Sequence, residues 1–351
     1  MPPKKGKGPA IDPDDASMNP EAVVDNYKKY CKVQALTVHP KVLAQLGGDE
    51  EQLEQFMKTE QLVVDGEPIM GPGGTRALCT ALMGNGPGMS GAVFKMAKNF
   101  RFWRQACGCD GAACLAEILR LGGAELPMAY LEMLDCNVGF RGAKALGQSL
   151  MCGHNKSLLT LKLDYNASLG SNGCAALCQG LRTNETLKQL HLSYCSLDEA
   201  AGKPLGEVLS YRKSTLQKLI LQGNKMRGGG LLGILSGMAE NTKLEFLSMA
   251  DNAIASTDED LEALEALAQV MTRETCLLAS VDLLYNRIGE KGGNCLLAAF
   301  NGGELEGSKG PPGKVKGLLV DSTLPQQLFE TLARIDAAGG GKKGKKGKKK
   351  K

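Results

Sequence analysis

One eleven-residue frame, L-x-x-L-x-L-x-x-[N or C]-x-L, returns six times along this chain and constrains its fold more than any bulk property. The segments are MAYLEMLDCNV (128–138), LLTLKLDYNASL (158–169), LKQLHLSYCSL (187–197), LQKLILQGNKM (216–226), LEFLSMADNAI (244–254) and LASVDLLYNRI (278–288). The second carries one extra residue before its final leucine. Their Asn-or-Cys positions are 136, 166, 195, 224, 252 and 286, giving spacings of 30, 29, 29, 28 and 34 residues. Leucines two apart fall on one face of a strand. Between the segments, GAKALGQSLM, GCAALCQGLR, GKPLGEVLS, GGLLGILSGMAE, DLEALEALAQVM and GGNCLLAAF place apolar residues near i, i+3 and i+4. That is the period of a helix covering a sheet.

On these segments the chain resembles the leucine-rich repeat, specifically the long strand–helix class of the ribonuclease-inhibitor type. The resemblance implies an α/β solenoid, a curved horseshoe with a parallel β-sheet on its concave face and helices on its convex face. It also implies that Cys136, Asn166, Cys195, Asn224, Asn252 and Asn286 point inward as a structural ladder at the strand-to-loop corner.

Solenoids need caps, because an unstacked end exposes apolar surface. VKGLLVDSTLPQQLFETLARI (315–335) reads as a degenerate strand and closing helix, behind the loop-like NGGELEGSKGPPG (301–313). GCDGAACLAEILRLGG (108–123) reads as the helix half of a repeat, with a degenerate strand through FRFWRQA and a further incomplete unit at GGTRALCTALMGNG (73–86). The expected organisation is a disordered segment 1–19, a helical cap region 20–70 and a solenoid 71–300 that carries the full frame over 128–288. An insertion 301–313, a capping repeat 314–337 and a tail 338–351 follow. Tyr30, Cys31, Pro40, Val42 and Leu43, with the lysine-rich opening MPPKKGKG, resemble the N-terminal segment of axonemal members of this repeat group. This second resemblance implies a cytoskeletal home in the cilium or flagellum.

Aromatic residues make up only 5% of a chain that is 43% hydrophobic, so the core must be built from Leu, Ala, Met, Val and Cys. No run of about 18 apolar residues appears, so no membrane-spanning helix is expected. The basic start leads into no apolar segment, so a signal peptide is not expected either. Twelve cysteines at this length then suit a reducing compartment, as small buried hydrophobes.

His191 stands four residues ahead of Cys195, but strand alternation sends His191 outward while Cys195 takes the inward ladder position, so they do not form a site. Cys107, Cys109 and Cys114 lack the paired C-x-x-C spacing of a zinc knuckle and read as core. GNGPGMSG (84–91) lacks the Gly-Lys-Ser/Thr ending of a phosphate loop, and RIGEKGG matches neither nucleotide motif. No catalytic, cofactor-binding or metal-binding residue is therefore expected, and the chain reads as a non-enzyme without a small-molecule substrate.

The concave face is the expected functional surface. Its outward strand positions are Glu132, Lys162, His191, Ile220, Ser248 and Asp282, and a column at the strand exit runs Asp135, Tyr165, Tyr194, Gly223, Asp251 and Tyr285. Tyrosine suits binding hot spots because it joins a large rigid ring to a polar tip, although the same rings can simply pack laterally. Mixed charge, with Asp135, Asp164, Asp251 and Asp282, argues against a nucleic-acid groove.

The net charge of +4 conceals an uneven distribution: eleven terminal lysines leave about −7 for the rest of the chain. Eight of them, Lys342, Lys343, Lys345, Lys346, Lys348, Lys349, Lys350 and Lys351, form a tail with nothing apolar to bury, expected to be disordered alone. Such a tail can meet RNA, anionic lipid or acidic protein tails, and the axonemal resemblance makes tubulin tails the natural choice. The expected function is a non-catalytic scaffold that docks other proteins in a large assembly. The alternative is a cytosolic inhibitor or regulator of a nuclease or small GTPase.

Overall fold

Each leucine frame folds as a short strand whose alternate residues enter the core, and each intervening segment returns as a helix over the same face. The structure, a computed structural model, describes residues 16–86, 92–121, 126–273, 275–300 and 317–337. The segment 1–15, the insertion 301–313 and the lysines of 342–351 lie outside the described residues.

Nine parallel strands form one sheet in strictly sequential order: β1 (Gln61–Val64), β2 (Asn99–Trp103), β3 (Tyr130–Leu134), β4 (Thr160–Lys162), β5 (Gln189–His191), β6 (Lys218–Ile220), β7 (Phe246–Ser248), β8 (Ser280–Asp282) and β9 (Gly317–Leu319). Register aligns Leu62, Phe100, Leu131, Leu161, Leu190, Leu219, Leu247, Val281 and Leu318 in one row, and all nine are buried. Eight helices alternate with the strands from β1 onward: α4 (Gly71–Met83), α5 (Gly108–Leu121), α6 (Phe140–Ser149), α7 (Gly170–Leu181), α8 (Gly202–Leu209), α9 (Arg227–Leu235), α10 (Asp258–Met271) and α11 (Gly289–Phe300). They cover one face of the sheet, leaving the opposite, strand-only face open. This is the α/β leucine-rich repeat solenoid.

Three helices precede the sheet: α1 (Pro20–Val33), α2 (Pro40–Leu43) and α3 (Glu50–Thr59). Tyr27 and Cys31 of α1 are fully buried, and the Tyr27 hydroxyl accepts the His39 N–H at 3.3 Å. The sheet itself starts at Gln61, ten residues before the boundary expected at 71. Leu62 and Val64 take the two leucine places there, so a four-residue strand with no corner Asn or Cys completes the first repeat. Its outer edge is closed by Gln45, whose amide donates to the Val63 carbonyl (2.6 Å) and accepts the Val63 N–H (2.9 Å), standing in for a strand. At the other end α12 (Gln326–Ala337) turns Leu328 and Leu332 inward beside β9.

The corner residues tie each repeat to the one before. Asn224 Oδ1 accepts from the N–H groups of Cys195 and Leu197, both at 3.0 Å, and its Nδ2 donates to the carbonyls of Leu192 (2.9 Å) and Leu221 (2.7 Å). Asn166 makes the same four bonds to Cys136, Val138, Met133 and Leu163, and Asn286 to Asn252, Ile254, Met249 and Leu283. Asn252 accepts from Met226 and donates to Leu221 and Ala250. Cys136 and Cys195, both fully buried, donate their thiols to the carbonyls of Phe102 and Leu163. Gln105 holds the corresponding place after β2, donating to Gly66 and Trp103 and accepting from Met70.

A second row of asparagines guards the opposite corner, where helix returns to strand. Asn155, Asn184 and Asn241 donate to the carbonyls of Leu119, Leu150 and Leu209, and each accepts two N–H groups of its own turn. The middle helices touch through bare backbone: a methyl on Gly180 would collide with the Gly147 carbonyl, one on Gly202 with Gly230, and one on Gly206 with Gly233.

Candidate functional site

On the open face, strand alternation places Arg101, Glu132, Lys162, His191, Ile220, Ser248 and Asp282 in one outward row. The row is less accessible than outward alternation alone implies. Glu132 is only 9% exposed and Ser248 2%, with Tyr130 and Arg101 set against the first and Asp282 against the second. Tyr130, two residues before Glu132, donates its hydroxyl to Glu132 Oε2 at 2.7 Å, and the Arg101 Nε stands 3.6 Å from the same oxygen. Both Arg101 and Lys162 also approach the Tyr130 ring, at 4.9 and 5.5 Å from its centroid. Burial and the bond to Glu132 push the Tyr130 hydroxyl well above its ordinary range. Tyr130 is thus the centre of a closed charge cluster.

His191 sits next along the row with its side chain largely covered. Burial, reinforced by Lys162 and Lys218, pushes its pKa down to about 4, so the imidazole is neutral near pH 7. Its Nδ1 lies 3.9 Å from Asp164 Oδ2, but Asp164 is itself raised by burial, and its other oxygen accepts the Ser193 N–H at 2.7 Å. Cys195 points away into the core. At the far end of the row Asp282 accepts the Ser248 hydroxyl at 3.1 Å, apart from the Tyr130 cluster.

The strand-exit column has a different character, set by its backbone. Asp135, Tyr165, Tyr194, Gly223, Asp251 and Tyr285 all adopt positive φ, between 51° and 72°. This left-handed turn ends each strand and swings the side chain onto the rim. Tyr165 and Tyr194 stack with ring centroids 4.6 Å apart and planes inclined by 13°. The Tyr194 ring occupies the space a side chain at Gly223 would need. Tyr165 remains 52% exposed and Tyr285 69%, two of the largest exposed aromatic surfaces among the described residues.

Among the candidate residues, the structure therefore joins Glu132, Lys162 and His191 on adjacent strands, and Tyr165 with Tyr194 on the rim. Asp135 and Asp251 stand apart from one another. Tyr130 and Arg101, absent from the expected row, organise the same face together with Asp164, and the period-two alternation of the strands was the signal that could have marked them. Among the described residues, no group of three His, Cys, Asp or Glu side chains is placed to hold a metal ion. Nor is any helix among them long and apolar enough to cross a membrane.

Comparison with known proteins agrees with the repeat architecture. Residues 154–178 match the family model described as Leucine Rich repeat. Over 156 residues the chain is 29% identical to the Mus musculus protein named NACHT, LRR and PYD domains-containing protein 14, a stretch covering 44% of this chain and 15% of that protein. It is 32% identical over 161 residues to the ribonuclease inhibitor of Sus scrofa, covering 45% of this chain and 34% of the inhibitor. It is 28% identical over 137 residues to the Protein phosphatase 1 regulatory subunit 37 homolog of Caenorhabditis briggsae, covering 39% of this chain and 14% of that protein. The matched stretches span about a third or less of each relative.

Proposed function

We propose that this chain, a leucine-rich repeat solenoid, is a non-catalytic docking scaffold that receives partner proteins on the open face and exit rim of its sheet. The observation that carries this reading is the tyrosine stack. Tyr165 and Tyr194 are locked by backbone and by each other yet leave one ring half exposed, an arrangement that presents apolar area at little entropic cost on binding. Repeat solenoids offer such extended rigid faces to other proteins as a class.

The finer part of the proposal is residence in the ciliary or flagellar axoneme, with the lysines of 342–351 gripping acidic partners such as tubulin tails. Its support is the sequence: the Tyr30–Leu43 segment, the MPPKKGKG opening, and a tail of eight lysines with no acid. A second reading, a regulator of an enzyme, is favoured by relatives named as an inhibitor and as a phosphatase regulatory subunit.

Crosslinking in native cells, comparing the full chain with one lacking 338–351 and with Tyr165→Ala/Tyr194→Ala, separates these readings. Scaffold function requires crosslinks to structural proteins that fall in the tyrosine variant. Tubulin crosslinks lost only on tail deletion support the axonemal part. A dominant crosslink to a nuclease, phosphatase or GTPase favours the regulator, and partners unaffected by the tyrosine change would remove the rim from the reading.

A further inference from the structure

The exit rim carries one arrangement twice: a carboxylate at one strand's corner followed by a tyrosine at the next. Asp135 precedes Tyr165, and Asp251 precedes Tyr285, in the register fixed by Glu132 with Lys162 and by Ser248 with Asp282. Between the two pairs, the Tyr194 ring lies over Gly223 and Tyr165 stacks on Tyr194, so the stack is closed toward β6. The exposed side of Tyr165 faces β3, where Asp135 stands. Among the described residues neither Asp135 nor Asp251 has a side-chain hydrogen bond or ion pair, although both are exposed. Arg104, on the far side of Asp135, makes no ion pair with it.

Resting on the docking reading above, we propose that this rim receives an extended partner segment carrying two arginines, each lying on a tyrosine face and bonded to the neighbouring carboxylate. A planar guanidinium can stack on a ring and fork onto a carboxylate at once, whereas a lysine ammonium is a point charge that can do only one well. The pairs stand four strand steps apart, roughly 19 Å at about 4.8 Å per step, which an extended chain rising about 3.3 Å per residue spans in about six residues. The chain's own tail offers lysines only.

The test uses the full chain and fluorescein-labelled peptides read by anisotropy: two arginines separated by five serines, two arginines separated by two serines, two lysines separated by five serines, and the peptide of residues 338–351. The long-spaced diarginine peptide is expected to bind about tenfold more tightly than the short-spaced or dilysine peptides. Asp135→Asn and Tyr285→Asn, both tolerated in a left-handed turn, are each expected to weaken it about fivefold. Equal binding of the dilysine or tail peptide, indifference to spacing, unchanged binding by these variants, or no binding by any peptide overturns the proposal. If the peptides fail while Tyr165→Ala/Tyr194→Ala still loses native partners, the docking reading stands and the arginine specificity falls. If native partners are also retained, both fall.

Discussion

Asn224 accepts two N–H groups from the preceding repeat and donates to one carbonyl of that repeat and one of its own, all four out of contact with water. Removing its amide strands those groups, each costing on the order of 1 kcal/mol or more when buried unpaired. Asn224→Ala is therefore expected to lower stability by about 2–4 kcal/mol in urea unfolding. Asn224→Cys should lose less, because a thiol can still donate to a carbonyl, as Cys195 does to Leu163. His191 supplies a pH-dependent test. Its folded-state pKa of about 4 lies below its usual 6.5, so its contribution is complete above about pH 6.5 and is lost as pH falls through 4. Replacing it with Gln is expected to reduce the loss of stability between pH 7 and pH 4 by up to on the order of 3 kcal/mol, read as the difference between the two proteins' urea midpoints. Gly223 makes a third case. A side chain there meets the Tyr194 ring and a φ of 72°, so Gly223→Val should break the stack and shift the Tyr165 and Tyr194 ring resonances.

Among whole elements, the strands bearing the leucine frame were legible because period-two burial and a fixed corner residue reinforce each other. β1 was not, since in QLVV the apolar residues Leu62, Val63 and Val64 run consecutively without period-two alternation, and no corner amide follows. The second asparagine row also left a trace, in NKSL, NETL and NTKL ahead of three strands, but those strings carry no apolar period and read as ordinary turns. Gln45 was invisible for another reason: its partner, Val63, is eighteen residues away and nothing local announces the contact. That contact predicts a specific failure. Gln45→Ala leaves the β1 edge with an unpaired N–H and carbonyl, expected to cost about 1–3 kcal/mol and to promote concentration-dependent association by light scattering. On the rim, the positions of the tyrosines were readable and lateral packing was one of two alternatives for them, but which rings would stack was not. Spacing gives the column, whereas the lean of each ring depends on the absent side chain at Gly223.

For the molecule as a whole, stability passes between adjacent repeats rather than through one central core, so the ends should open first. Hydrogen exchange is expected to be faster in β9 and α12 than in β4 to β6, and reversal of that order would show that the terminal helix does more than cap. Partner binding through the lysines of 342–351 should weaken sharply by about 0.5 M salt, while an interface on the tyrosine rim should change far less. Removing 338–351 should leave the thermal midpoint of the solenoid unaltered.

The glycine contacts between the middle helices bear on what kind of surface the partner must bring. Strands repeat at about 4.8 Å, while helices held apart by side chains repeat at about 8–10 Å, and that mismatch bends a solenoid into an arc. Where Gly147 meets Gly180 and Gly202 meets Gly230, bare backbone lets the helices approach more closely than any side chain would permit. Closer helices there are expected to flatten the arc across the middle repeats, a curvature that small-angle X-ray scattering of the full chain would read. A straight, ribbon-like ligand can then lie along the rim from Asp135 to Asp251 without being bent to follow it, and a bulky convex domain would find little hollow there to fill.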